Sequence, residues 1–511
     1  MHLAIVGSGL SGLTAGACLS KAGCKTTVYE QYHEPGGVTA SFIREGYKWD
    51  LGQLLIEGLG PDEPLGLILS ELGIASNIQI KKDDRGYVFP DFAIEQPEKF
   101  EGIKWRFEKL KSIFPNEAKG LENYWRDYVR FTRLLTYARR INTTTGISKQ
   151  VNKFHLYLAL SPFLTRIKWD AQRLMDSYFT SRELQCVFIS ILADFFTSPN
   201  QFPGLGVYGL NAEAVFDKRM PKEIARNAET LYHYSFLGGI SSLVSTLVEG
   251  IEENSGEVIL NSPVTSIKIE DNRVVGVVTE GNILHPADIV IASGGARETF
   301  LKLVGEGFLP GEFSEKVKKL PLMDSVFMVH LGIDFDPSPW VHGAVTYYYG
   351  TYDIEGGINE AHQGVYHQGA SGFVIHVPSL HSPEMAPEGH HAMTIYTICP
   401  DRLNDGSWES KKEEYANAII NYAERHIPNL SKHVCTRYIL TPEDFRNRTH
   451  LDHHAFGGIA PLINIQRIPH RTPIRNLWFV GAQSESGSGV NNVIPGAYKT
   501  ARLIIKENSL K

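Results

Sequence analysis

The 511 residues are 42% hydrophobic, 11% aromatic and 21% charged, a globular composition that excludes a collagen-like, coiled-coil or wholly disordered chain. A formal net charge of −7 argues against holding nucleic acid by bulk positive charge. Five cysteines (Cys18, Cys24, Cys186, Cys399, Cys435) without C-x-x-C spacing predict neither a disulfide framework nor a zinc site.

No basic leader precedes the first apolar run. The longest later run, around Val187 to Phe196, holds Asp194 and falls short of the ~20 residues of a membrane span. The expected location is therefore cytoplasmic, either free or peripheral on a membrane.

Leu3 to Val6 reads as a short buried strand, followed by Gly7, Gly9 and Gly12 in G-x-G-x-x-G spacing and then an alanine-rich helix. Lys25 to Tyr29 reads as the next strand and runs into Glu30. Each part has a mechanical reason: Gly7 makes the turn, Gly9 admits a pyrophosphate, and Gly12 lets helix and sheet approach. The helix start, at Leu10 and Ser11, offers N–H groups and a positive dipole end to phosphate. Glu30, 21 positions after Gly9, is placed to accept hydrogen bonds from a ribose. An acid there disfavours a 2′-phosphate, so the dinucleotide is FAD or NAD rather than NADP. A second glycine pair, Gly36-Gly37, follows closely enough to bring another loop to the pyrophosphate.

Residues 98–170 carry 15 Lys and Arg against 7 Asp and Glu, interleaved with aromatics such as Trp105, Trp125, Tyr128, Phe131, Phe154 and Tyr157. The stretch reads in two ways: a solvated basic face over an aromatic core, or an interfacial surface that docks on a membrane.

From Phe236 the chain returns to regular alternation. Ser241 to Glu253 has helical apolar spacing; Val258 to Leu260, Val264 to Ile269 and Val274 to Thr279 read as strands, and Ala287 to Ala292 as a buried strand. Tyr347-Tyr348-Tyr349 with Trp340 suits either strand packing or a pocket wall. The pairs His390-His391 and His453-His454 point their neighbours apart, which disfavours metal ligation. Near the end, Leu477 to Val480 reads as a strand closed by Gly481. Gly487 and Gly489 then lead into a helix from about Val490, in which Pro495 is tolerable only near the start. Two helix starts aimed at one ligand from opposite ends of the chain favour FAD over NAD.

These motifs, with the segments His376–Thr397 and Thr441–Phe445, resemble the phytoene desaturase, carotenoid isomerase and retinol saturase group of FAD-dependent oxidoreductases. The resemblance implies an α/β fold: a discontinuous Rossmann-like FAD-binding domain of the glutathione-reductase type, with an α+β substrate or cap domain. It places residues 1–80, 236–300 and 445–511 in the first, and 81–235 and 301–444 in the second. It implies FAD contacts from Gly7, Gly9, Leu10, Ser11, Gly12, Glu30, Gly36, Gly37, Val264, Gly481, Gly489 and Val490, with the Val264 backbone beside the adenine. Three positions depart from the group's pattern. Val38 stands where an arginine usually follows the glycine pair, Ser382 where an aspartate is usual, and Glu485-Ser486-Gly487-Ser488-Gly489-Val490 where many members read H-P-G-G-G-V. Glu485 and Asn491 are the expected polar groups near the flavin, and Glu485 and Ser486 are expected to face the active site. The implied activity is oxidation or reduction of carbon–carbon bonds in an apolar isoprenoid or polyene, carotenoid desaturation foremost. Flavin-dependent isomerisation or saturation, an amine-oxidase-like reaction, and a non-catalytic FAD-binding scaffold are the alternatives. The implied partners are an apolar small molecule and a membrane surface; neither a metal nor a nucleic acid is expected.

Overall fold

The computed structural model describes residues 1–52, 55–143 and 145–509. Thr144, inside the basic segment, and positions 510–511, at the end of the third expected FAD segment, lie outside the described residues.

Strand β1 (His2–Val6) passes through the glycine turn into helix α1 (Leu10–Lys21) and returns as β2 (Lys25–Tyr29). Its alternating apolar residues Leu3 and Ile5 are fully buried, as a strand covered on both faces requires. Two glycines make the crossing possible. Gly7 has φ +96°, and a Cβ there would meet the Ser293 carbonyl oxygen at 2.5 Å; a Cβ on Gly12 would lie 2.1 Å from the Gly7 oxygen.

Along the chain come β3 (Arg85–Val88), the long helix α2 (Ala118–Thr143) and α3 (Gly146–Leu160), which packs back against it. Helix α4 (Ser241–Glu252) follows, then β4 (Glu257–Ile259) and β5 (Ile289–Ala292). A run of long strands follows: β6 (Ser325–Ile333), β7 (Val345–Tyr349), β8 (Gly372–His376), β9 (His391–Cys399) and β10 (Val434–Leu440). Helix α5 (Pro442–Thr449), strand β11 (Leu477–Phe479) and helix α6 (Val490–Glu507) complete the series. Pro495 sits in the second turn of α6, where its missing N–H removes one bond close to the start of the hydrogen-bond ladder.

One five-stranded parallel sheet, in the order β4-β2-β1-β5-β11, gathers strands from both ends and the middle of the chain. Helices α1, α4 and α6 pack on one face, burying Leu13, Leu247, Ile251, Ile494 and Ala501. On the other face lies a three-stranded antiparallel sheet formed by Val264–Glu270, Arg273–Thr279 and Ile283–Pro286. The fold is thus α/β with a Rossmann-like sheet. A seven-stranded sheet built around β10-β6-β9-β8-β7-β3 forms the second layer system. A small sheet pairs His233–Phe236 with Ile56–Glu57 and Ile80–Asp83, and so ties the two sheet systems together.

The basic segment has a dense aromatic interior. Phe107, Tyr124, Tyr128 and Phe163 are buried against Phe188 and Tyr208, and a fully buried Arg106 pairs with Glu213 at 2.7 Å. Helix α3 differs: Ile147, Val151, Phe154 and Leu158 line one face at helical spacing and are between 46 and 85% exposed.

Candidate active site

A cavity of about 940 Å³ begins at the glycine turn of β1 and ends against the seven-stranded sheet. Its first part is a dinucleotide cradle. The side chain Gly9 lacks would meet no atom within 4 Å, so the space before the start of α1 is open to a ligand rather than filled by packing. No side chain caps α1 at Gly9, which leaves the N–H groups of its first turn to an incoming phosphate.

Glu30 is buried and fully oriented. Its Oε2 accepts from the Ser8 N–H at 2.8 Å and the Ser8 hydroxyl at 2.6 Å, and its Oε1 from the Tyr32 N–H at 2.9 Å. Ser8 is an anchor that a reading of glycines alone passes over. The second glycine pair docks directly on the first: the Gly36 N–H donates to the Ser8 carbonyl at 2.9 Å.

Gly7, Gly9, Leu10, Ser11, Glu30, Gly36, Gly37, Val264, Gly481, Gly489, Val490 and Asn491 all line this one cavity. Gly12 does not; it serves the helix–strand contact instead. The loop after β5 and the loop after β11 are stitched together by the Gln483 side chain, whose Oε1 accepts from the Ala296 N–H at 2.8 Å.

Glu485 requires a correction. It turns away from the cavity: its carboxylate accepts from the His470 N–H at 2.9 Å, and the side chain is half exposed. The cause is a tight turn, in which the Gly487 N–H reaches the Ser484 carbonyl at 3.1 Å. Ser486, Gly487 and Ser488 line the cavity, while Glu485, just before them, faces outward. Ser382 has a structural place, its buried Oγ accepting from the Gly238 N–H at 3.1 Å ahead of α4.

An arginine from a distant helix reaches the second glycine loop. Arg448, in the last turn of α5, lines the cavity and donates from Nε to the Gly37 carbonyl at 2.7 Å. Its guanidinium lies 4.4 Å from the Tyr32 ring centre, and its buried Nη2, 3.6 Å from a Glu34 carboxylate oxygen, makes no hydrogen bond. No local motif marks Arg448, because its partner lies 411 positions away.

The far part of the cavity is walled by Ile191, Phe195, Phe202 and Leu210 and floored by the sheet. Strand register selects the floor. Tyr347 pairs with Tyr87 on one side and Val374 on the other, and Val374 pairs with Tyr396, so these four side chains share one face. Tyr347 and Tyr396 line the cavity, whereas Tyr348 packs into the opposite core. Asp194 hydrogen-bonds with Tyr347, and burial pushes its carboxyl up to about 7. Burial also acts to raise Glu57, but the hydrogen bond and charge of His233, 3.2 Å away, together with the charge of Arg85, bring it below the ordinary range. Asn491 reaches Glu57 at 3.5 Å. The arrangement joins a cradle for a dinucleotide to an apolar chamber with a few convergent polar groups.

The sequence profile of the flavin containing amine oxidoreductase family matches residues 10–505. A phytoene desaturase (lycopene-forming) of a Paracoccus species is 24% identical, over 98% of this chain and 97% of its own length. A chloroplastic prolycopene isomerase of Daucus carota is 23% identical, over 95% of this chain and 77% of its own length. A solved oxidoreductase from Methanosarcina mazei shares the fold with a TM-score of 0.65 at 17% identity, covering 98% of this chain and all of that one.

Proposed function

This chain belongs to the flavin-containing amine oxidoreductase family, and from that membership we propose that it acts on carbon–carbon bonds of a long isoprenoid polyene, with desaturation as the forward reaction. It is an FAD-dependent oxidoreductase. FAD, when bound, supplies the acceptor or donor of a hydride. Residues 1–80, 236–300 and 445–511 provide its cradle: Glu30 holds the ribose, and the glycine turns and Arg448 hold the pyrophosphate. Segments 81–235 and 301–444 form the cap. Ile191, Phe195, Phe202 and Leu210 exclude water and accept hydrocarbon. The observation that carries the reading is this apolar chamber opening from the cradle, taken with the likeness to the Paracoccus desaturase. The comparable likeness to the Daucus isomerase favours isomerisation as the second reading.

We further propose that substrate arrives from a membrane surface. Passing a polyene through water costs about 0.8 kcal/mol per CH₂, whereas transfer from lipid to an apolar chamber costs little. The exposed stripe of α3, continued by Leu164 and Ile167 and flanked by Lys149, Lys153 and Lys168, has the composition of an interfacial helix on anionic lipid. Beneath it, Phe163 packs near Tyr208, between Val207 and the cavity-lining Gly209. Among the described residues no helix is long and apolar enough to cross a membrane.

The test is anaerobic mixing of holoenzyme with polyene-loaded anionic liposomes. Bleaching of the oxidised flavin with formation of a longer conjugated product supports desaturation; isomer conversion without net bleaching supports the second reading. Bleaching by primary amines, with none by any polyene, overturns both.

A further inference from the structure

The far end of the cavity holds a cation that touches no carboxylate among the described residues. Arg85 opens β3, is only 8% exposed, and lines the cavity. Its Nη2 donates to the Leu210 carbonyl at 2.8 Å, but its buried Nε has no partner. Among the described residues no carboxylate forms an ion pair with it. The closest support is aromatic: the guanidinium carbon lies 4.9 Å from the Phe216 ring centre and 5.2 Å from that of Tyr87, while the charges of Glu57 and Asp194 act on it only from beyond ion-pair distance. Ring faces offset part of the cost of burying a guanidinium, but they leave its N–H groups unsatisfied, and such groups are expensive to keep dry.

The neighbours sharpen the picture. Glu57 is engaged by His233. Asp194 carries a carboxyl whose pKa is about 7, so it can present a proton as well as a charge. A pure hydrocarbon filling this chamber would expel water from Arg85 and return nothing. A ligand ending in a carboxylate would match the planar donor fork and cancel the charge.

Resting on the polyene reading above, we propose that the substrate is an oxygenated polyene whose terminal carboxylate is bound by Arg85 at the inner end of the cavity, with Asp194 as a second polar contact. Arg85 then fixes which end of the chain enters first, and so which carbon–carbon bond reaches the flavin.

The experiment measures dissociation constants of three probes for detergent-solubilised holoenzyme, by perturbation of the flavin spectrum: all-trans-retinoic acid, its methyl ester, and the hydrocarbon lycopene. The acid is expected to bind at least about tenfold more tightly than the ester, the scale of one hydrogen-bonded charge. R85M should remove that preference while changing ester binding less than about twofold, and R85K should restore part of it. Flavin content and melting temperature report whether the variants fold; if R85M does not, the acid–ester comparison on the wild type decides. Equal binding of acid and ester, or equal losses of both in R85M, overturns the inference. If lycopene is then turned over, the polyene reading stands without it, whereas failure of all three probes to bind overturns both.

Discussion

Arg448 and Gly37 stand 411 positions apart in sequence, yet the guanidinium Nε donates to the glycine carbonyl at 2.7 Å. The contact brings a positive charge to the second glycine loop, where the chain carries Val38 in place of a basic residue. We expect R448A to weaken FAD binding by about tenfold or more, the scale of a charge-assisted hydrogen bond, with R448K intermediate. Titration of apoprotein with FAD checks this, and unchanged affinity would remove Arg448 from the cradle.

Gly9 and Gly12 should separate cofactor loss from fold loss. A side chain at Gly9 meets open cavity, while one at Gly12 meets the Gly7 oxygen at 2.1 Å. G9V should therefore fold and lose flavin; G12V should unfold or melt well below the wild type. Circular dichroism melting and the flavin-to-protein absorbance ratio distinguish the two.

Asp194 predicts a pH dependence whose sign is fixed. Burial raises its carboxyl from 3.8 to about 7, so the folded protein keeps a proton that the unfolded chain releases. Its contribution is fully present below the unfolded value and is lost as pH rises through about 7. D194N should flatten this decline, which is on the order of 1–4 kcal/mol. Urea denaturation of both proteins at mildly acidic and mildly alkaline pH measures it; equal slopes would contradict the assignment.

Arg106 and Glu213 form a buried pair at 2.7 Å beside the aromatic cluster of Phe107, Phe188 and Phe216. Removing one partner strands a charge, so R106M should cost about 3–5 kcal/mol. R106M/E213L should recover much of that loss. Chemical denaturation reads both, and additive losses would rule out coupling between the two residues.

Phe154 and Leu158 carry the exposed stripe of α3, at 61% and 55% exposure. F154E/L158E should abolish flotation with anionic liposomes and leave melting temperature and flavin content unchanged, because neither residue is buried. Retained flotation would locate any membrane contact elsewhere.

Most of the residues that line the glycine-turn end of the cavity were legible in the sequence, because their signals are local. Gly7, Gly9, Gly12 and Glu30 lie within one β-α-β unit, and their spacing follows from strand, turn and helix lengths. The strands Val264–Glu270 and Arg273–Thr279 and the helix from Val490 also fell close to their expected bounds. Glu485 was misplaced because a turn reverses side-chain direction from one residue to the next, and composition does not reveal which residues face inward. Arg448 and Arg85 left no trace for a different reason. The first depends on a helix docking on a distant loop, and the second on the parallel register of β3 with β7, in which Arg85 pairs with Val345. Residues 98–170 divide by burial, which composition does not reveal: the aromatics near Phe107 and Tyr124 are interior, while Phe154 and Tyr157 face out.

The strand order of the parallel sheet bears on biosynthesis. Its β1 and β2 are made well before their neighbours β5 and β4, which follow more than two hundred residues later, and β11 comes later still. The nascent amino-terminal half therefore waits with unpaired parallel edges, the arrangement most exposed to misassociation during translation. A chain cut ahead of β11 would leave β5 without its outer partner and the sheet without α6 on its face.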